Sequence, residues 1–179
     1  MRSKILRYTS SFIRPSDATA YTVGDEISSH ATAGSVVLPT FDMGGYTNVR
    51  ILRAAMGVVP SAANVVITAM DISMHLFKTT DAPAAVGDNV ALAITSAKRL
   101  VAPKFSFVNG AWTQPTGALT AGASAFQEVL SDIGTMGNVI VFNPPETNTL
   151  TAVLQADATW TPLAQTNTFT LHLDIEVPF

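Results

Sequence analysis

The feature that most constrains the fold is a strict two-residue alternation near the end of the chain, in the segment TFTLHLDIEV (168–177). Successive side chains of a β-strand point to opposite faces of the sheet, so this pattern predicts a strand with one buried and one solvated face. The predicted buried face carries Phe169, Leu171, Leu173, Ile175 and Val177. The opposite face carries Thr170, His172, Asp174 and Glu176. Half-buried strands of this kind are typical of antiparallel sheets.

The segment MDISMHLF (70–77) alternates in the same way and predicts a second half-buried strand. Its two predicted faces are Met70, Ile72, Met74 and Leu76 on one side and Asp71, Ser73, His75 and Phe77 on the other. Shorter β-rich runs lie at 35–38, 48–52, 100–108, 138–142 and 150–156, and turn-forming residues separate them.

Two segments could be helical. ASAFQEVLSDIG (123–134) predicts a short helix that Ser124 caps and Gly134 ends, and NVALAITSAKRL (89–100) fits a helix or a strand. Strands do not alternate with long helical patterns, so a parallel α/β sheet is not expected. The sequence therefore predicts an all-β protein: an antiparallel β-sandwich of about eight strands, jelly-roll-like, with at most one short helix.

The 179 residues predict one domain, in which charged residues make up only 13%, about half the usual share. A surface with so little charge suits a protein that packs against neighbours. All ten Lys and Arg residues occur at or before Lys104, so the charged Asp, Glu, Lys and Arg residues of the last 75 positions are all acidic. We predict a basic N-terminal arm, residues 1–14, followed by a single sandwich domain, residues 15–179.

The arm carries four cations, which either dock on an acidic neighbour or belong to a solvated chain end: Arg2, Lys4, Arg7 and Arg14. Four scattered cations before an acidic remainder do not form a phosphate-binding stripe, so no nucleic-acid partner is expected. The most apolar window, 51–70, is interrupted by polar residues and a proline, so no membrane partner is expected either.

The sequence contains no recognisable catalytic set. Ser124 lies in GASAF, which lacks the second glycine of a nucleophile elbow. His30, His75 and His172 do not share a spacing that would converge on a metal ion, and we expect neither a metal site nor a cofactor. Asp174 and Glu176 could form a glycosidase pair, but two acids that protect a strand surface are the simpler interpretation.

Trp112 and Trp160 lie in or near loops, in NGAWTQ and ATWTPL. An exposed indole can stack on a sugar, so these two residues define an alternative function, a carbohydrate-binding module. A loop tryptophan that anchors an interface is the competing interpretation.

The opening segment FIRPSDATAYTVGDEIS (12–28) predicts a rigid corner after the arm. Pro15 fixes its own backbone torsion, and Asp17 can accept a hydrogen bond from the backbone two residues on. Gly24 permits the turn before Asp25, and Tyr21 offers an apolar ring with a polar tip to close the corner.

This segment resembles the start of small head-associated structural proteins of tailed bacteriophages, which open with Arg-Pro-x-Asp, Thr-x-Tyr and Gly-Asp. The residues that carry the resemblance here are Arg14-Pro15, Asp17, Thr19, Tyr21 and Gly24-Asp25. It continues through NVRILRA, His75-Leu76-Phe77, Gly87-Asp88-Asn89 and Trp160-Thr161-Pro162, and residues 109–149 depart from it.

The resemblance implies a non-enzymatic capsid cement or decoration protein with a jelly-roll-like fold. Its partners would be the major capsid protein and further copies of itself, as dimers or trimers at lattice axes. It would be found on the capsid surface of the virion, and in the host cytoplasm during assembly. The alternative is a carbohydrate- or receptor-binding module of a phage tail or head surface, carried by Trp112 and Trp160. Arg2, Lys4, Arg7 and Arg14 are the expected capsid-contacting residues.

Overall fold

The computed structural model describes residues 3–61, 70–94, 104–108, 111–113, 125–130, 139–142, 148–162 and 165–178. Two short 3₁₀ turns, Ala33–Ser35 and Thr79–Asp81, occur within these ranges, and no helix there is long and apolar enough to cross a membrane. The strands of the described residues are β1 (Ser3–Arg14), β2 (Glu26–Ile27), β3 (Thr40–Asp42), β4 (Asn48–Pro60), β5 (Ile72–Lys78), β6 (Phe105–Phe107), β7 (Ala125–Leu130), β8 (Val139–Val141), β9 (Thr149–Ala156) and β10 (Asn167–Pro178).

These strands form two antiparallel sheets. The β1 sheet has the order β1-β10-β4-β7 with β8 also on β4, and the β9 sheet has the order β2-β9-β5-β6 with β3 also on β9. If β2 with β3 and β7 with β8 each count as one strand position, eight positions remain. The first then pairs with the eighth, the second with the seventh, the third with the sixth and the fourth with the fifth. A long hairpin rolled into two sheets has this connectivity, so the chain is a jelly roll, as predicted.

The strand β10 confirms the pattern from which the prediction began. It lies between β1 and β4, and the five apolar residues of its inner face are all buried. Phe169 stacks on Phe12 of β1, with 5.2 Å between the ring centroids. The alternation therefore predicted correctly both the strand and the face of it that is buried.

The strand β5 differs from the prediction because both of its faces are buried, from Ile72 to Phe77. Phe77 packs in a second apolar cluster with Leu92 and Val153, on the side of the β9 sheet away from the main core. Residues 82–94 contribute to this cluster and cover the face that the alternation assigned to solvent.

Other expectations need correction. Residues 125–130 form the strand β7 on β4 and not the predicted helix; the caps at 124 and 134 lie outside the described residues. Pairing with β4 outweighs the local helical signals there. Residues 35–38 do not form a strand, and of residues 89–94 only Ala91 makes an isolated bridge, to Asp25; residues 95–100 lie outside the described ranges.

Candidate interaction surface

Residues 3–14, the described part of the predicted arm, form the edge strand β1. It is antiparallel to β10, in an unbroken register from Ser3 opposite Pro178 to Arg14 opposite Asn167. Arg2 lies outside the described residues. The domain boundary between residues 14 and 15 stays a prediction, but the described residues before it, 3–14, are part of the sheet.

The side of the β1 sheet that points away from the core is called the outer face below. Its side chains on β1 alternate with partly buried ones and include two isoleucines, Ile5 and Ile13, that are 65% and 59% exposed. The residues of the outer face are Ile5, Arg7, Thr9, Ser11 and Ile13 on β1, His172, Asp174 and Glu176 on β10, and Arg50 and Arg53 on β4.

Asp174 is the centre of an ion-pair network on the outer face. Arg7 donates from Nε to Oδ1 at 2.6 Å and from Nη2 to Oδ2 at 2.9 Å, and Arg53 donates from Nε to Oδ2 at 2.7 Å. The hydrogen bonds from Arg7, and then those from Arg53, lower the pKa of Asp174 to about 2. The two guanidinium groups hold the carboxylate ionised and leave its side chain only 8% exposed.

A β-bulge places Arg50 and Arg53 on the same face. Residues three apart in a regular strand point to opposite faces, but the register of β10 with β4 shifts between Asp174 and Ile175, which leaves one extra residue on β4. Arg50 therefore reaches Glu176, with 3.3 Å between Nη1 and Oε2. This arrangement could not be predicted from the sequence, because the bulge depends on the register of two strands that lie far apart in the chain.

Thr9 and His172 form a further cross-strand pair, with 2.9 Å between Oγ1 and Nδ1. On the outer face, arginines and acids thus alternate across three strands, and an exposed isoleucine lies on either side of Thr9 on β1. Lys4 is exposed near the start of the same strand, but it belongs to the side opposite the outer face, the side of Leu6 and Phe12. Of the four predicted contact residues, the structure brings Lys4 and Arg7 to the surface.

Arg14 requires a correction, since its side chain is fully buried and cannot contact a partner. Its Nε donates to the hydroxyl of Tyr21 at 2.5 Å and lies 3.2 Å from Oδ2 of Asp88. Its two terminal nitrogens donate to the carbonyl oxygens of Pro15 at 3.1 Å and Asp17 at 2.9 Å. Arg14 therefore fixes the corner from inside and does not belong to the contact surface.

Asp88 completes this corner cluster, which we define as Arg14, Tyr21, Ser28, Asp88 and Trp160. The hydroxyl of Tyr21 donates to Oδ1 of Asp88 at 2.5 Å, and the backbone N–H of Ser28 donates to the same oxygen at 3.0 Å. Burial raises the pKa of Asp88 and of Tyr21. The ring of Tyr21 stacks on Trp160 at 4.6 Å, and their backbones form an isolated bridge.

A buried acid and a glycine hold the loop beside the corner cluster in place. Glu26 is buried, and its Oε2 accepts hydrogen bonds from the backbone N–H groups of Val86 at 2.6 Å and Gly87 at 3.0 Å. Gly87 has a φ of +113°, and a Cβ there would lie 2.4 Å from the carbonyl oxygen of Ala31. Motifs far apart in the sequence, around residues 14–28, 86–89 and 160, therefore meet in one place and hold the edge strand to both sheets.

The two tryptophans of the alternative function do not offer a sugar-binding platform. Trp160 is 8% exposed beneath Tyr21. Trp112 is half-buried; its indole N–H donates to the carbonyl oxygen of Met70 at 3.0 Å, and its ring lies against Phe107. Stacking on a sugar needs an open ring face, so the geometry favours the anchoring role for both residues.

The histidines and acids also occupy structural positions. His30 accepts a hydrogen bond from the backbone N–H of Thr32, and His75 is buried in β5. Asp174 and Glu176 each pair with arginine, as the geometry above shows. In the part of the chain that the structure describes, no three His, Asp or Glu side chains lie close enough to hold a metal ion.

The chain is similar to several solved virus structures. One is the decameric BFDV capsid protein, at 10% sequence identity and a TM-score of 0.43, with 99% of this chain and 100% of that chain covered. Another is the cyanophage Pam1 capsid asymmetric unit, at 14% identity and a TM-score of 0.33, with 98% and 86% covered. No protein-family model and no curated protein matches the sequence. At these identities and TM-scores the likenesses assign neither a family nor a function.

Proposed function

We propose that this chain is a non-enzymatic structural protein of a phage virion, which binds the lattice of the major capsid protein from outside and stabilises the head. The observation that carries the proposal is the outer face, where arginines and acids pair across three strands beside two exposed isoleucines. The resemblance of residues 12–28 to head-associated proteins supports the same role. Exposed apolar and charged side chains on one sheet face can bind another protein surface.

The mechanism is binding free energy without turnover. Contacts that exist only in the assembled shell stabilise that shell by mass action, because disassembly must break them. Each contact through a rim of charged side chains is weak, but many copies on one lattice make their combined attachment effectively permanent. A cement protein of this kind acts on the capsid surface, and reaches it in the host cytoplasm during assembly.

The test is co-sedimentation of the purified protein with shells of the major capsid protein of the same phage. The variant Arg7→Gln removes the cation that β1 places on the outer face. We expect its binding to shells to weaken at least tenfold and the wild-type binding to weaken with added salt, because exposed ion pairs are screened.

Lys104→Gln is the matched control. Lys104 precedes β6 on the other sheet and pairs with Asp157, and its side chain is 38% exposed, against 46% for Arg7. We expect this variant to bind shells as the wild type does. Equal loss in both variants would show a general charge effect, and no loss in either would remove the outer face from the proposal.

A further inference from the structure

The strand β1 is a long edge strand with a regular register. Among the described strands it pairs with β10 alone, and its register contains neither a bulge nor, from Ser3 to Arg14, a proline. An exposed strand edge presents a row of unpaired N–H and C=O groups that can pair with another strand. Two of the exposed side chains on β1's outer side are apolar, Ile5 at 65% and Ile13 at 59%.

The residues of β1 are arranged almost symmetrically about Thr9. Ile5 and Ile13 lie four residues before and after it, and Leu6 and Phe12 lie three before and after it. A strand that is self-complementary about its centre matches a second copy of itself in the antiparallel direction, which is the geometry of a two-fold axis.

We propose that two copies of this chain associate edge to edge through β1, antiparallel, with Thr9 opposite Thr9 of the partner subunit. The two β1 sheets then form one continuous sheet. On the outer face, Ile5 lies opposite Ile13 of the partner subunit, and the same pair recurs on the other side of the axis. These two pairs cover apolar surface that is exposed in the single chain.

The side chains select this register over its neighbours. A shift by one residue would place outer-face residues opposite inner-face ones, which a pleated sheet does not allow. The next permitted registers place Ile5 opposite Ser11 or Pro15 of the partner subunit, and a further shift sets Arg7 against Arg7. Only the register centred on Thr9 pairs both isoleucines with isoleucines, and it sets each Arg7 opposite a serine.

The chain contains no cysteine, so a single introduced cysteine reports one position without background. Residues opposite each other in antiparallel strands have Cα atoms about 4.5–5.5 Å apart, within the range that a disulfide spans. Thr9→Cys should therefore cross-link two chains at the axis. In Ser11→Cys, at a residue that is also exposed on the same face, the two thiols would be about 14 Å apart.

The experiment oxidises both purified variants with glutathione disulfide and follows the covalent dimer on a non-reducing gel. We expect Thr9→Cys to dimerise at least tenfold faster than Ser11→Cys, and Ile13→Lys added to Thr9→Cys to reduce that rate severalfold. Equal rates, or a faster Ser11→Cys, would overturn the proposal.

A second variant keeps the test decisive if Thr9→Cys disturbs its contact with His172. Ile5→Cys/Ile13→Cys leaves Thr9 in place and should form a dimer with two disulfides, which migrates as a dimer until both are reduced. Monomer alone after oxidation would overturn the register. Binding to shells is a separate measurement, so this association can fail while capsid binding stands, and the reverse.

Discussion

Arg14→Met is the substitution that tests the corner cluster most severely. The arginine side chain is 0% exposed, and its removal deletes donors to Tyr21, Pro15 and Asp17. It also leaves the buried carboxylate of Asp88 without its cation. Removing one partner of a buried ion pair costs about 3–5 kcal/mol of the free energy of unfolding.

The assay is urea denaturation followed by circular dichroism. If the slope with denaturant is about 2 kcal/mol per molar, the expected loss lowers the midpoint by about 1.5–2.5 M. Arg7→Met is the matched control on the same strand, because Arg7 is half-exposed and Asp174 keeps Arg53. An exposed pair contributes about 0–1 kcal/mol, so the control should shift the midpoint by less than about 0.5 M.

A double-mutant cycle separates the ion pair from the loss of packing. Asp88→Asn keeps an oxygen for Tyr21 and Ser28 but removes the charge that Arg14 neutralises. The double variant Arg14→Met/Asp88→Asn should therefore be more stable than the sum of the single losses predicts, by about 1–3 kcal/mol. Additive losses, or an Arg14→Met midpoint equal to that of Arg7→Met, would refute the reasoning.

Two further predictions follow from individual positions. Gly87→Ala should cost more than about 2 kcal/mol of unfolding free energy, since the φ of Gly87 is +113° and a Cβ there would lie 2.4 Å from a backbone oxygen. Gly34→Ala is the control: a Cβ there meets open space, so the same urea denaturation should show no loss of stability. Because the pKa of Asp174 is lowered to about 2 from 3.8, its stabilisation is full above about pH 4 and is lost as the pH falls toward about 2. The stability difference between wild type and Asp174→Asn should shrink over that window, and a difference that does not change with pH would contradict the ion-pair geometry.

Local chemistry predicted the turn at the start of the chain well. Asp17 accepts a hydrogen bond from the backbone N–H of Thr19 at 2.8 Å, two residues on, as its position indicated. Gly24 has the positive φ of +94° that its turn requires. These features depend on a few neighbouring residues, so the sequence carries the information directly.

The functions of Arg14 and Arg7 could not be predicted from the same segment. Counting cations near the N-terminus treats both as surface charges, but Arg14 pairs with Asp88, 74 positions later. Arg7 faces Asp174 because the first and last strands are neighbours in a jelly roll. The strand β5 shows the same limit, since its alternation assigns Phe77 to solvent while the loop that follows the strand folds back and packs against that residue. In each case the deciding contact depends on topology, which spacing along the chain does not record.

The measurement that tests the proposed function most directly is quantitative mass spectrometry of purified particles of the phage in which we place this chain. We expect the protein to be part of the particle, at a copy number that is a simple fraction of the copy number of the major shell protein. Its absence from intact particles, or a handful of copies that remain with isolated tails, would contradict a role on the capsid lattice.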